Sequence, residues 1–134
     1  MLRLEIVTPE KKVLSESVDM VTIPTASGEI GVLPNHAPLI SSLKPGILTY
    51  FRSGVSNRLV VAGGFVEIND NKVSVLADIA ETADEIDVEK ARLQKEESEK
   101  ILSKWSGSQE ELEKEREKLE CAQARLQLAT GKIS

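Results

Sequence analysis

The sequence predicts a two-part β + α fold, with an N-terminal antiparallel β-sandwich or flattened barrel followed by a C-terminal α-helical hairpin. All five prolines and six of the eight glycines lie in residues 1–80, where they separate short β-branched runs. Charged residues number 15 in residues 1–80 and 24 in residues 81–134, a density typical of exposed helices. Helix start signals begin at the boundary, so we predict a β domain over residues 1–82 and a hairpin over residues 83–134.

In the first part, apolar side chains recur with a period close to two, as expected of strands with one buried face. Leu2, Leu4 and Ile6 alternate with Arg3 and Glu5. Similar runs cover residues 18–23, 47–51, 58–61, 65–68 and 73–76. Turn residues separate these runs at intervals of about 8–12 residues, which favours an antiparallel sandwich or barrel over parallel βαβ units.

The second part opens with two helix start signals. Thr82 and Glu85 fit a capping box, and Asp87 is the predicted N-cap of a helix from Val88 to about Trp105. The short segment Ser106-Gly107-Ser108 then interrupts the helical pattern. A break of this length favours two antiparallel helices.

A second capping box, formed by Ser108 and Glu111, opens a helix that should reach about Ala129, before Gly131. Its apolar residues follow a heptad-like spacing that Glu115 interrupts. The spacing is carried by Leu112, Leu119, Ala122, Leu126, Ala129 and Ile133. The first helix has only a thin apolar stripe, so we expect a marginal hairpin that exchanges between docked and extended forms.

Composition argues against several classes of function. Aromatic residues make up 3% of the chain and the net charge is −5, which disfavours binding to nucleic acid. The chain has one histidine, His36, and one cysteine, Cys121, so we expect no metal site, no internal disulfide and no nucleophile–base pair. No apolar run approaches the ~20 residues of a membrane span, so we expect membrane association only through a partner.

Three segments carry a resemblance to a known family. Residues 28–39 read GEIGVLPNHAPL, residues 62–68 read AGGFVEI, and residues 73–78 read VSVLAD. With these motifs, and with its order of β domain and hairpin, the chain resembles the epsilon subunit of rotary (F-type) ATP synthases over essentially its whole length.

The resemblance implies a non-catalytic central-stalk subunit of a proton- or sodium-translocating ATP synthase. The β domain would bind the rotor gamma subunit and rest against the membrane c-ring. By their place in the motif, Glu29 and His36 are the predicted residues near the c-ring and gamma contacts, and Gly31 and Asn35 are predicted to shape that loop.

The resemblance also implies that the hairpin can rise toward the catalytic alpha and beta subunits and inhibit ATP hydrolysis. Basic residues of the second helix would then face an acidic segment of the beta subunit. The candidates are Lys114, Arg116, Lys118, Arg125 and Lys132. We favour Arg125 because no acidic residue lies near it in the sequence.

Some members of this family hold ATP in the folded hairpin through a pattern like Ile/Leu-Asp-x-x-Arg-Ala. The corresponding residues here are Ile86, Asp87, Lys90 and Ala91. Lysine stands in place of the arginine and lacks its bidentate fork, which weakens the case for nucleotide binding. We expect no required cofactor, with ATP as a candidate regulatory ligand.

The expected location is the cytoplasmic face of the bacterial plasma membrane, peripherally and as part of the complex, in preference to an organelle. The alternative is a free-standing adaptor, a β module whose hairpin recruits another acidic partner. Such an adaptor would have no affinity for a gamma subunit, which separates the two hypotheses.

Overall fold

The structure is a computed structural model that describes residues 1–131, and ten strands in two five-stranded sheets form its first part. The strands are β1 (Leu2–Val7), β2 (Lys12–Val18), β3 (Met20–Thr25), β4 (Gly28–Val32), β5 (Leu39–Ser42), β6 (Gly46–Arg52), β7 (Val55–Ala62), β8 (Phe65–Asn69), β9 (Lys72–Leu76) and β10 (Ile79–Glu81). The first sheet has the order β2-β1-β9-β8-β5, and the second has the order β10-β7-β6-β3-β4. The predicted sandwich is therefore confirmed.

The core between the two sheets is aliphatic, in keeping with the scarcity of aromatic residues. Alternate residues of β1 and β9, such as Leu4 and Val75, are fully buried, as period-two patterning requires. β7 differs, because its last residues Leu59–Ala62 are buried in succession. Such a run indicates a strand covered on both faces, and α2 supplies the second cover.

The strands differ from the predicted runs in number, in bounds and in direction. No run is predicted for β4, β5, β10 or the part of β2 before Val18. The run predicted over residues 18–23 is two strands, since β2 ends at Val18 in the first sheet and β3 begins at Met20 in the second. The pairing is also not wholly antiparallel, because β1 and β9 run parallel, with Leu4 opposite Val73. A long connection separates these two strands, which removes the hairpin constraint that makes neighbours antiparallel.

Two helices form the second part: α1 spans Val88–Ser103 and α2 spans Gln109–Thr130. The predicted caps are present, since Asp87 accepts a hydrogen bond from the Lys90 amide and Ser108 accepts one from the Glu111 amide. α1 ends at Ser103, two residues before the predicted Trp105. The helices are therefore joined by a short break, and they pack against each other as a hairpin.

The Thr82–Glu85 capping box is present, but it opens a single 3-10 turn over Ala83–Glu85, ahead of α1. The Thr82 amide donates to Glu85 Oε1 over 3.0 Å, and this hydrogen bond lowers the pKa of Glu85. The turn joins the last strand to the hairpin.

The hairpin is docked on the outer face of the second sheet through a small apolar cluster, separate from the sandwich core. Its buried members are Val60 and Ala62 of β7 with Cys121 and Ala124 of α2. Ile47, Ile79, Ile86 and Leu128 pack around them, half-buried. We call this cluster the docking contact. It is much smaller than the sandwich core, so the hairpin is held to the sheet by few large side chains.

Candidate interaction surfaces

The first surface is the connection between β4 and β5. The motif predicted as one loop from Gly28 contains β4 in its first half, and the loop proper covers residues 33–38. β4 is the edge strand of the second sheet and β5 is the edge strand of the first. The loop therefore bridges the free edges of both sheets, where a partner can reach it.

Glu29 and Gly31 lie on β4, opposite Pro24 and Thr22 of β3, and both are exposed. Gly31 does not shape the loop through an unusual backbone angle, because its φ is not positive. A Cβ at this position would lie 3.2 Å from the Met20 methyl carbon, so the glycine makes room for that side chain.

Asn35 and His36 lie in the loop itself. Asn35 has φ 70°, the left-handed conformation that asparagine tolerates better than most residues. Its amide donates to Oδ1 of Asn71 over 2.6 Å. The half-buried His36 places Nδ1 2.6 Å from the Ala37 carbonyl oxygen, so Nδ1 donates and Nε2 is left for other contacts.

The second surface is the basic part of α2. Lys114, Arg116 and Lys118 are exposed, and Arg116 lies 3.7 Å from Glu113 one turn earlier. Such an exposed pair is weak and leaves the guanidinium accessible to a partner. Lys132 lies outside the described residues.

Arg125 is paired with an acidic residue in the docked hairpin. This corrects the expectation that no acidic residue neutralises its charge. Its Nε donates to Glu81 Oε1 over 2.6 Å, and Nη2 donates to Oε2 over 3.3 Å. Burial alone would lower the pKa of Arg125, but the hydrogen bond to Glu81 and the charges of Cys121 and Glu81 together outweigh burial and raise it. Glu81 lies on β10, 44 residues before Arg125, so it is not among the sequence neighbours of Arg125.

A cavity of about 430 Å³ lies between the hairpin and the sheet. Lys114, Lys118 and Arg125 line it together with Gln94 and Asp78. The four residues predicted for nucleotide binding, Ile86, Asp87, Lys90 and Ala91, are not part of this lining.

Those four residues have structural roles in the docked hairpin. Ile86 packs on the docking contact, the Asp87 carboxylate caps α1, and Ala91 is buried. Lys90 is exposed.

The interior of the hairpin contains a polar contact that the apolar spacing of α2 does not reveal. Glu115, predicted to interrupt the heptad-like spacing, is buried and accepts a hydrogen bond from Ser98 Oγ over 2.8 Å. The Gln94 amide donates to the same Ser98 hydroxyl over 3.3 Å. The hydrogen bond from Ser98 to Glu115 therefore links α1 to α2 inside the hairpin.

Two other properties bear on the class of protein. No helix among residues 1–131 combines the length and the apolarity needed to cross a bilayer. Within the same range, no group of three His, Cys, Asp or Glu side chains is placed to hold a metal ion.

Fold and surfaces together define a class of protein in which a β-sandwich carries a two-helix hairpin, docked on one sheet through a small apolar cluster. A model of the family "ATP synthase, Delta/Epsilon chain, beta-sandwich domain" matches residues 1–83. The ATP synthase epsilon chain of Pelotomaculum thermopropionicum is 53% identical over 102 residues, covering 76% of each chain. That of Desulfitobacterium hafniense strain Y51 is 46% identical over 104 residues, covering 78% of this chain and 79% of the relative. The chain belongs to the family of ATP synthase epsilon chains.

Solved structures agree with this assignment. A chain in the cryo-EM structure of the Euglena gracilis mitochondrial ATP synthase, which includes the c-ring, superposes with a TM-score of 0.76 at 31% identity. The match covers 90% of this chain and 76% of that one. A chain in the central stalk and c-ring structure of the Tetrahymena thermophila mitochondrial enzyme has a TM-score of 0.64 at 18% identity, which supports the fold.

Proposed function

We propose how this epsilon chain, a rotor subunit of the ATP synthase, acts in the complex: its sandwich joins the gamma subunit to the c-ring, and its hairpin inhibits ATP hydrolysis. The observation that carries this proposal is the separation of the two apolar clusters. The sandwich closes its own core, so it can stay folded while the hairpin leaves the sheet. The chain would have no active site of its own.

The c-ring contact is assigned to the loop at residues 33–38 and to the adjoining edge of β4. Glu29 offers an exposed carboxylate there, and His36 offers a ring nitrogen. Pro34 and Pro38 restrict the loop backbone, so it loses little conformational entropy when a partner clamps it. That property suits a contact that must transmit torque.

The outer face of the first sheet is a candidate surface for the gamma subunit. α2 packs against the second sheet, through β6 and β7. On the first sheet, Phe65 of β8 lies opposite Leu76 of β9, and both side chains are about half exposed. Exposed apolar side chains on neighbouring strands are typical of an interface with another protein.

The inhibitory state requires the hairpin to leave the docking contact. Arg125 would then exchange Glu81 for an acidic segment of the beta subunit, while Lys114, Arg116 and Lys118 are exposed already. Lys132 is part of the same proposal from its place in the sequence. An extended hairpin would reach the catalytic alpha and beta subunits and obstruct rotation.

The proposal places the chain peripherally on the cytoplasmic face of a bacterial plasma membrane, held there by the complex. It needs no cofactor. For ATP as a regulatory ligand, we propose that binding is weak because Lys90 lacks the fork of arginine. A Lys90→Arg variant should show a larger ATP-induced rise in melting temperature than the wild-type chain. Equal responses would remove Lys90 from the proposal.

Co-purification with a gamma subunit tests the rotor role itself. The epsilon chain should co-elute with gamma during size-exclusion chromatography in a one-to-one complex. A free-standing adaptor would elute alone.

A further inference from the structure

Asn71 closes the turn between β8 and β9 and contacts the β4–β5 loop. Its φ is 60°, and its carbonyl oxygen accepts a hydrogen bond from the Arg3 amide over 2.8 Å. The side chain faces the loop, where Oδ1 accepts the Asn35 amide over 2.6 Å. Asn71 Nδ2 in turn donates a longer hydrogen bond, of 3.4 Å, to Asn35 Oδ1. Two asparagines 36 residues apart therefore tie a turn to a loop.

This tie holds the loop in a conformation that costs free energy. Asn35 is in the left-handed region, which an isolated loop of L residues occupies only part of the time. The hydrogen bond from its amide to Asn71 offsets that cost, and the turn that carries Asn71 is fixed to β1 through Arg3. His36 follows directly after Asn35, so its direction depends on the same backbone.

We propose that Asn71 is a positioning residue for the c-ring contact: it fixes the backbone at Asn35 and thereby sets His36 before the partner arrives. The inference rests on the proposed function, which assigns the contact to this loop. Preorganisation of this kind strengthens binding by reducing the ordering that binding must otherwise impose. Asn71 need not touch the c-ring itself.

The test uses two variants at Asn71 and one matched control in the full-length chain. Asn71→Gly keeps the left-handed backbone but removes the acceptor oxygen, and Asn71→Asp keeps an acceptor for the Asn35 amide. Asp70→Gly is the control, because Asp70 also has a positive φ, of 49°, and lies in the same turn. Three properties are measured: water exchange of the Asn35 amide by NMR, melting temperature, and affinity for a detergent-solubilised gamma–c-ring subcomplex.

We expect Asn71→Gly to speed exchange of the Asn35 amide and to weaken subcomplex binding about three- to tenfold, the scale of one lost hydrogen bond. The melting temperature should change little, because the turn and the sandwich core are retained. Asn71→Asp and Asp70→Gly should bind like the wild-type chain.

Two results would overturn this role. One is an unchanged affinity in Asn71→Gly when the wild-type chain binds, and the other is an equal loss of affinity in Asp70→Gly. If the wild-type chain itself does not bind the subcomplex, the proposed function fails and this role of Asn71 fails with it. The exchange rate of the Asn35 amide then still reports whether the tie exists.

Discussion

The guanidinium of Arg125 on α2 is held by the carboxylate of Glu81 on β10, through the 2.6 Å and 3.3 Å hydrogen bonds from Nε and Nη2. The pair is partly exposed and lies beside the docking contact, since Cys121 is one turn away on the same helix. In our proposal Arg125 also serves the inhibitory state. Docking and inhibition therefore compete for one side chain.

We predict that Glu81→Ala increases inhibition of ATP hydrolysis. The variant removes the docking partner and leaves Arg125 free for the beta subunit. Charge-assisted hydrogen bonds of a partly exposed pair stabilise by about 1 kcal/mol, so the docked fraction should fall roughly fivefold relative to the undocked one. Hydrolysis by the assembled complex is the measurement, and the control is Glu99→Ala, which removes an exposed carboxylate on α1.

Arg125→Ala should act in the opposite direction on hydrolysis. It also weakens docking, but it removes the cation that the inhibitory state needs, so hydrolysis should rise without a loss of assembly. Arg92→Ala, on the exposed face of α1, should leave hydrolysis unchanged. If Arg125→Ala and the wild-type chain inhibit equally, Arg125 has no part in inhibition.

Ser98→Ala should weaken the hairpin from within. Removing the hydroxyl takes away the 2.8 Å hydrogen bond to the buried Glu115 carboxylate. The cost of leaving such a group without this donor is about 1–3 kcal/mol, and it should appear as a lower midpoint of helix unfolding by circular dichroism. Ser103→Ala, at the exposed end of α1, is the control. Equal midpoints for both variants would show that the buried contact does not stabilise the hairpin.

Cys121 should report docking through its reaction with iodoacetamide. Burial raises the pKa of its thiol, and the charge of Arg125 offsets only part of this rise. Because the raised pKa belongs to the docked state, docking is unaffected below the ordinary thiol pKa of about 8.5 and weakens as the pH rises above it. The alkylation rate relative to a cysteine peptide should therefore be low near neutral pH and increase at alkaline pH. A ratio close to one at neutral pH would mean that the thiol is not protected.

Gly64→Ala should destabilise the sandwich far more than Gly54→Ala. Both glycines have positive φ, but a Cβ at Gly64 would lie 1.8 Å from the Leu76 carbonyl oxygen, and one at Gly54 meets nothing within 4 Å. We expect a loss of about 3 kcal/mol or more at Gly64 and about 1 kcal/mol at Gly54. Urea unfolding of the full chain measures both, and equal losses would contradict the close approach.

Local patterns predict both helices and the strands with regularly spaced apolar residues, because these signals are local. Asp87 and Ser108 cap helices by bonding amides three residues ahead, which the spacing alone reveals. β4 was missed because Gly31 and the adjoining proline loop resemble turn chemistry. β4 is a strand because it pairs with β3, and this pairing forms only in the folded chain.

The side-chain contacts between distant residues could not be predicted from the sequence, for a different reason. Arg125 and Glu81 are 44 residues apart, and Asn35 and Asn71 are 36 apart. Arg125 and Asn35 are candidates from the sequence, whereas Glu81 and Asn71 are not, because only the folded chain brings them close to those residues. Glu115 illustrates the same limit, because it breaks an apolar pattern and yet is buried against Ser98.

The central claim is that a self-sufficient sandwich carries a detachable inhibitory hairpin. The most direct test compares ATP hydrolysis by complexes assembled with the full chain and with a chain ending at Thr82. We predict that the shortened chain joins the complex and that hydrolysis rises. A shortened chain that cannot join the complex, or that joins it and leaves hydrolysis unchanged, would contradict the account.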